Sequence, residues 1–282
     1  MSDDNLKLTI NWGPLSLELA ADVIALLKGL SSLRRTSPVA VVGERFLQVF
    51  IQHGVRPTQI PRLLPSISLA ALISPESLLT AITPKVIDDT TRLFGIRSAW
   101  LEGVTDQIYD THFCYQAPAR FFELLSQTPR EACSFPVRAL TCVDTLDCHD
   151  AREQPLALVF VEPITAPENP EDLHPIARYH IWCDTWDWGY AKSRIQLKAM
   201  TRIVDIQLNE RVPLYRVERA VLKAIQDGRQ IPRAYLRGSL LPEPSLEDYA
   251  NSQAEHGQAK ETEELPYVLA YIEHHKLGAL TG

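Results

Sequence analysis

The sequence predicts an α+β protein: an N-terminal helical part followed by a smaller antiparallel sheet with helices. Three observations carry this. Short apolar runs at helical spacing, cut by glycine and proline, fill the chain to about residue 127. Three segments rich in β-branched and aromatic residues follow, RALTCVDTLDC, PLALVFVEPI and IARYHIWCD, with turn-formers between them. Helical periodicity then returns from about Gly189.

In chain order, Leu15, Leu19, Val23, Leu26, Leu27 and Leu30 predict an amphipathic helix over 15–34, which Pro38 ends. From Val41 to Gly103 the punctuation by Gly54, Pro57, Pro61, Pro65, Pro75 and Pro84 predicts several short helices. Ser74-Pro75 and Thr83-Pro84 each read as an N-cap with proline in the first helical position. APARFFELLSQ is a further helix. After the strands, Ile195, Leu197, Met200, Ile203, Val204 and Leu208 form a buried stripe on a helix over about 189–208. Another helix covers about Pro213 to Gln226 and ends at Gly228. PYVLAYIEHH is the last. The expected division is a helical, helix-turn-helix-like domain, 1–115, and an α+β domain with a helical C-terminal part, 116–282, with a new composition after residue 130.

Composition bounds the function. Hydrophobic residues make up 45% of 282, enough for a core. The net charge of −7 argues against wholesale electrostatic binding to nucleic acid or anionic lipid, but a local basic face is compatible with it. No apolar run is long enough to span a bilayer, so no membrane partner is expected. The acidic start MSDDNLKL has no signal-peptide pattern, and the five cysteines are odd in number and scattered. A cytoplasmic protein with reduced thiols is the expectation.

Residues 41–103 carry one resemblance. VVGERFLQVFIQHGV, RPTQIPRLL, ISLAALIS and ITPKVIDDTTRLFGI read as successive helices, and RSAWLEG as a closing turn. Gly43-Glu44-Arg45, His53-Gly54-Val55 before Thr58-Gln59-Ile60, and Leu93-Phe94-Gly95-Ile96 before Trp100-Leu101 resemble the Cro and lambda-repressor type of helix-turn-helix domain. The resemblance implies double-stranded DNA as partner, a homodimer, and a third helix that reads base edges in the major groove. PSISLAALISPE occupies that place and has no Arg, Lys, Asn or Gln. Between Lys28 and Arg62, however, six basic residues face one acid. The candidate DNA-binding set is therefore Arg34, Arg35, Arg45, Arg56, Arg62, Ser66 and Ser68.

RYHIWCDTWDWGYAKSRIQLK is the second constellation, with three of the five tryptophans inside seven residues. Large amphipathic rings beside cations suit a planar or anionic ligand, or a protein anchor. Trp182, Asp184, Trp186, Trp188, Tyr190, Lys192 and Arg194 are its candidate residues, and sealing of a strand-to-helix corner is the alternative use of the same rings.

GxGxxG, Walker, GxSxG and HExxH motifs are absent, so no enzyme, cofactor or metal is expected. Cys142, Cys148 and His149 lie close together without a fourth ligand at zinc-like spacing. Three functions fit: a transcriptional regulator with a C-terminal ligand-sensing or partner-binding domain, a degenerate helix-turn-helix protein that scaffolds protein contacts without DNA, and an enzyme built on the Trp182–Arg194 cluster.

Overall fold

A computed structural model describes residues 21–34, 39–126, 136–165, 175–237 and 264–277. The helical part comprises α1 (Ala21–Arg34), α2 (Ala40–Gln52), α3 (Ile60–Leu63), α4 (Pro75–Ala81), α5 (Pro84–Phe94) and α6 (Ser98–Leu101). Both expected caps form. Ser74 Oγ accepts from Ser77 N at 3.2 Å, and Thr83 Oγ1 accepts from Val86 N at 3.3 Å. Pro61 sits in the first turn of α3, where its missing N–H costs nothing.

The expected third helix is reduced to one 3-10 turn, Leu69–Leu72. The reason is local. Ser68 caps the turn through Ala71 N, and Ser74 is held extended, at φ −140° and ψ 157°, ahead of Pro75. Only five residues remain between the two caps.

The sheet has strand order β1-β4-β3-β2-β5, with β1 Thr111–His112, β2 Val137–Thr141, β3 Pro155–Pro163, β4 Ala177–Asp187 and β5 Leu214–Arg216. The three long strands form the expected antiparallel meander. The expectation of a purely antiparallel sheet needs correction, because β1 joins β4 and β5 joins β2 in parallel. These edge strands of two and three residues are too short to show a period. The helix expected from Pro213 accordingly starts later, as α9 (Arg219–Gln226).

Along β3 the side chains alternate strictly between two cores. Ala157, Val159 and Val161 join one apolar cluster, and Leu156, Leu158 and Phe160 the other. The first cluster also holds Leu30, Phe46, Phe50, Phe94 and Trp100 of the helical part, with Leu222 and Ile225 of α9. This core is continuous across residue 115. The second cluster holds Phe121 and Phe122 of α7 (Ala119–Ser126) and Leu197, Met200 and Val204 of α8 (Ala191–Leu208). The last helix, α10 (Leu265–His274), packs on α8. The result is three layers, helices on both faces of one mixed sheet.

Arginines and a histidine tie the helical part together and to the sheet. Arg45 of α2 donates to Trp100 O and to Thr105 O at 2.8 Å, and its guanidinium lies 5.3 Å from the Trp100 ring centroid. Gly95 ends α5 in the left-handed region, at φ 66°. Arg178 of β4 covers that end, donating to Arg92 O at 2.8 Å while its chain crosses Gly95. His53, wholly buried, lies 2.6 Å from Val49 O through Nδ1 and 2.8 Å from Tyr109 Oη through Nε2. A carbonyl only accepts, so Nδ1 donates. Complete burial keeps the ring neutral, and Nε2 then accepts from the tyrosine hydroxyl. Burial drives its pKa down to about 3, the Val49 bond opposing and Arg233 assisting.

Two outcomes follow. Gly95→Ala loses about 1–2 kcal/mol from the left-handed backbone alone, and more because a Cβ would meet Arg178 Cγ at 2.8 Å; equilibrium denaturation measures it. A histidine whose folded pKa lies below its unfolded value gives stability that is complete above pH 6.5 and is lost as pH falls toward 3. His53→Phe therefore lowers stability at neutral pH and flattens its decline in that acid window, as chemical denaturation across pH will register.

Candidate functional site

The turn over 66–74 stands where the resemblance puts a reader helix. Ile67 and Ala71 point into the core and fix it. Leu69 and Ile73 point out, 57% and 80% exposed. Ser66 is exposed, whereas the Ser68 hydroxyl caps its own turn. The basic residues split into two kinds. Arg45 is spent on the Trp100 corner and on Asp106, at 3.1 Å, and Arg34 pairs with Glu44 at 3.2 Å. Arg56 and Arg62 are exposed and make no ion pair among the described residues. Arg35 lies outside the described residues. The surface at the reader position is thus apolar, with Arg56 and Arg62 near it in sequence.

The tryptophan segment folds inward. Trp182, Trp186 and Trp188 are all buried in the second core. A bulge puts three residues of β4 against one of β3, between the pairs Leu158↔Trp182 and Leu156↔Trp186. Thr185 takes up the turn at φ 52°. The two extra residues are an even number, so Trp182 and Trp186 keep the same face. Trp186 Nε1 lies 3.4 Å from Gln196 Oε1, and Lys198 Nζ lies 5.5 Å from the Trp188 ring centroid.

Asp184 is an anchor. Its carboxylate accepts from the backbone of Cys114 and Tyr115, each at 2.8 Å, and from Cys114 Sγ at 3.3 Å. Burial, reinforced by that carboxylate, pushes the Cys114 thiol far above the ordinary thiol range. Tyr190 and Lys192 face solvent at the start of α8. Arg194 turns the other way, donating to Trp188 O at 2.6 Å and pairing with Glu264 at 2.6 Å. These seven residues therefore do not converge on one pocket. A groove of about 460 Å³ does touch the segment, between Thr185, Trp186 and Asp187 and the α9 residues Arg219, Leu222 and Lys223. Its cations are engaged, Arg219 with Glu153 and Lys223 with Asp227.

Sequence reasoning missed two charged arrays because their members are far apart in the chain. Glu264 lies between Arg194 and Lys198, with Lys198 Nζ at 3.0 Å, and locks α10 onto α8. Burial works against its charge, but the two cations outweigh it and hold its pKa below 4.5. Glu162 receives Arg178 at 3.2 Å and His180 Nε2 at 2.7 Å beside the α5 end. No linear motif announces either array. No family model matches the chain, and neither a curated protein nor a solved structure matches it.

Glu264→Gln leaves two buried cations facing an amide. The expected loss is about 3 kcal/mol, the low end for a broken buried pair, since Glu264 keeps some contact with water. A carboxylate with a depressed folded pKa stabilises above its unfolded value and ceases to do so as pH drops through the folded one. Wild type therefore loses this contribution below about pH 4.5. The variant lacks that part of the acid slope, which urea titrations at pH 7 and pH 3.5 will show.

Proposed function

We propose that the chain is a degenerate helix-turn-helix protein whose helical part contacts protein rather than reading DNA, with the α+β part as its rigid base. The observation that carries this is the exposed, apolar turn at the reader position. Base recognition needs long polar side chains that reach two acceptors or donors at once. Leu69, Ala70 and Ile73 supply none, and one 3-10 turn is too short to lie along a groove. Exposed leucine and isoleucine on a rigid support are the composition of an interface centre. Arg34 and Arg45, which DNA docking would need free, are bound to Glu44 and Asp106.

A regulator that docks on phosphates is the second reading. Arg56 and Arg62, exposed and without an ion pair among the described residues, favour it.

The family resembled here pairs with itself, so the first partner to test is a second copy of the chain. Sedimentation of the full chain is expected to show concentration-dependent self-association that Leu69→Asp with Ile73→Asp removes. The double variant keeps its stability within about 0.5 kcal/mol, because both side chains are exposed. Selection from random duplexes under salt titration is expected to enrich nothing. An enriched site whose binding requires Arg56 and Arg62 would replace this reading with the DNA-binding one.

A further inference from the structure

The loop between β2 and β3 brings three unlike donors together. A carboxylate oxygen of Asp147, Cys148 Sγ and a His149 ring nitrogen all lie within 4.8 Å of one another. Cys148 Sγ and His149 Nε2 are 3.4 Å apart. A tetrahedral zinc ion with ordinary Zn–S and Zn–N bonds separates those two atoms by ~3.6 Å. The spacing seen here is close to that edge.

The loop is held in this shape by a buried side chain. Gln154, 1% exposed, accepts from Asp147 N at 2.7 Å and donates to Asp147 O at 2.5 Å. Its own N–H is bound by Asp187 at 2.9 Å. Asp147 Oδ1 also takes the His149 N–H at 2.8 Å, which bends the three residues into one turn. The neighbouring acids are occupied. Asp150 grips Arg152 at 2.6 Å, and Asp144 pairs with Arg216 at 2.8 Å. Asp147 makes no ion pair among the described residues.

We propose that Asp147, Cys148 and His149 hold one divalent late-transition ion, zinc by preference, with water in the remaining position. The donor set decides the class. A thiolate with an imidazole selects zinc, cobalt or nickel over magnesium and calcium, which take oxygen ligands. The missing fourth ligand, which weighs against zinc at the level of spacing, bears on closed four-ligand structural sites only. Three protein ligands and an open position are the other common arrangement. Coordination breaks the Cys148 S–H bond, forms the metal–sulfur bond and releases one proton to solvent.

The test uses the reduced full chain and cobalt(II) alone. One equivalent is expected to give a thiolate-to-cobalt absorption band in the near ultraviolet, with release of one proton, and added zinc is expected to abolish the band. Cys148→Ser and His149→Ala lose it, whereas Cys142→Ser keeps it. Both ligand changes fall in a half-exposed loop, and unchanged far-ultraviolet circular dichroism separates lost ligation from lost folding. No band at one equivalent, or a band that survives Cys148→Ser in the folded protein, overturns the proposal.

Discussion

Strand β3 is apolar on both faces, β4 carries buried rings and aliphatic chains on each, and water has to be kept from both sides of the sheet. At ~25 cal/mol per Å² of apolar surface, an uncovered face would cost more than the sheet's own hydrogen bonds return. The helices are arranged to meet that demand. The helical part and α9 close one side, around Val159, Val161, Tyr179 and Ile181. Helices α7 and α8 close the other, around Leu158, Phe160 and the tryptophans. Edge strands of two and three residues then leave little open ladder at either side.

This dependence sets how the helical part is attached. It is not a free headpiece, because its core residues are also core residues of the sheet. Polar contacts then fix the seam. Arg178 leaves β4 to receive the carbonyls that end α5, and only a glycine at 95 lets its chain pass so close. At the same junction a guanidinium, Arg233, rests over Gly54 and donates to Pro175 O at 2.5 Å. Burial of His53 in one neutral tautomer, between Val49 and Tyr109, gives the seam a preference for neutral pH. The same rigidity presents Leu69 and Ile73 on a fixed support, which suits contact with another rigid surface.

The tryptophan segment shows how the same residues serve two ends. Rings that would suit a ligand also fill the corner between β4 and α8. The bulge at Thr185 brings them to one side, and packing takes them. The charges follow suit. Asp184 and Asp187 bind backbone N–H groups, and Arg194 is consumed by Glu264.

Much of the fold was legible in order. Ser74-Pro75, Thr83-Pro84 and Gly95 set helix ends by local backbone chemistry, and local chemistry survives into the fold. The three long strands were readable for the same reason, since β-branched residues between turn-formers specify them within a few positions. Alternation along β4 puts Tyr179, Ile181 and Cys183 on the face opposite Trp182, in the other core. The sequence could not show that Arg45 would close on Trp100, 55 residues away, or that Glu264 would find Arg194 and Lys198. Nor could it show that β1 and β5 would add parallel edges. Those pairings depend on which surfaces meet, and no short-range pattern encodes that. What the sequence determined by itself is where elements start, stop and turn their apolar sides. Tertiary structure alone decided which charges are free and which rings are hidden, because burial and long-range pairing exist only once the layers have closed.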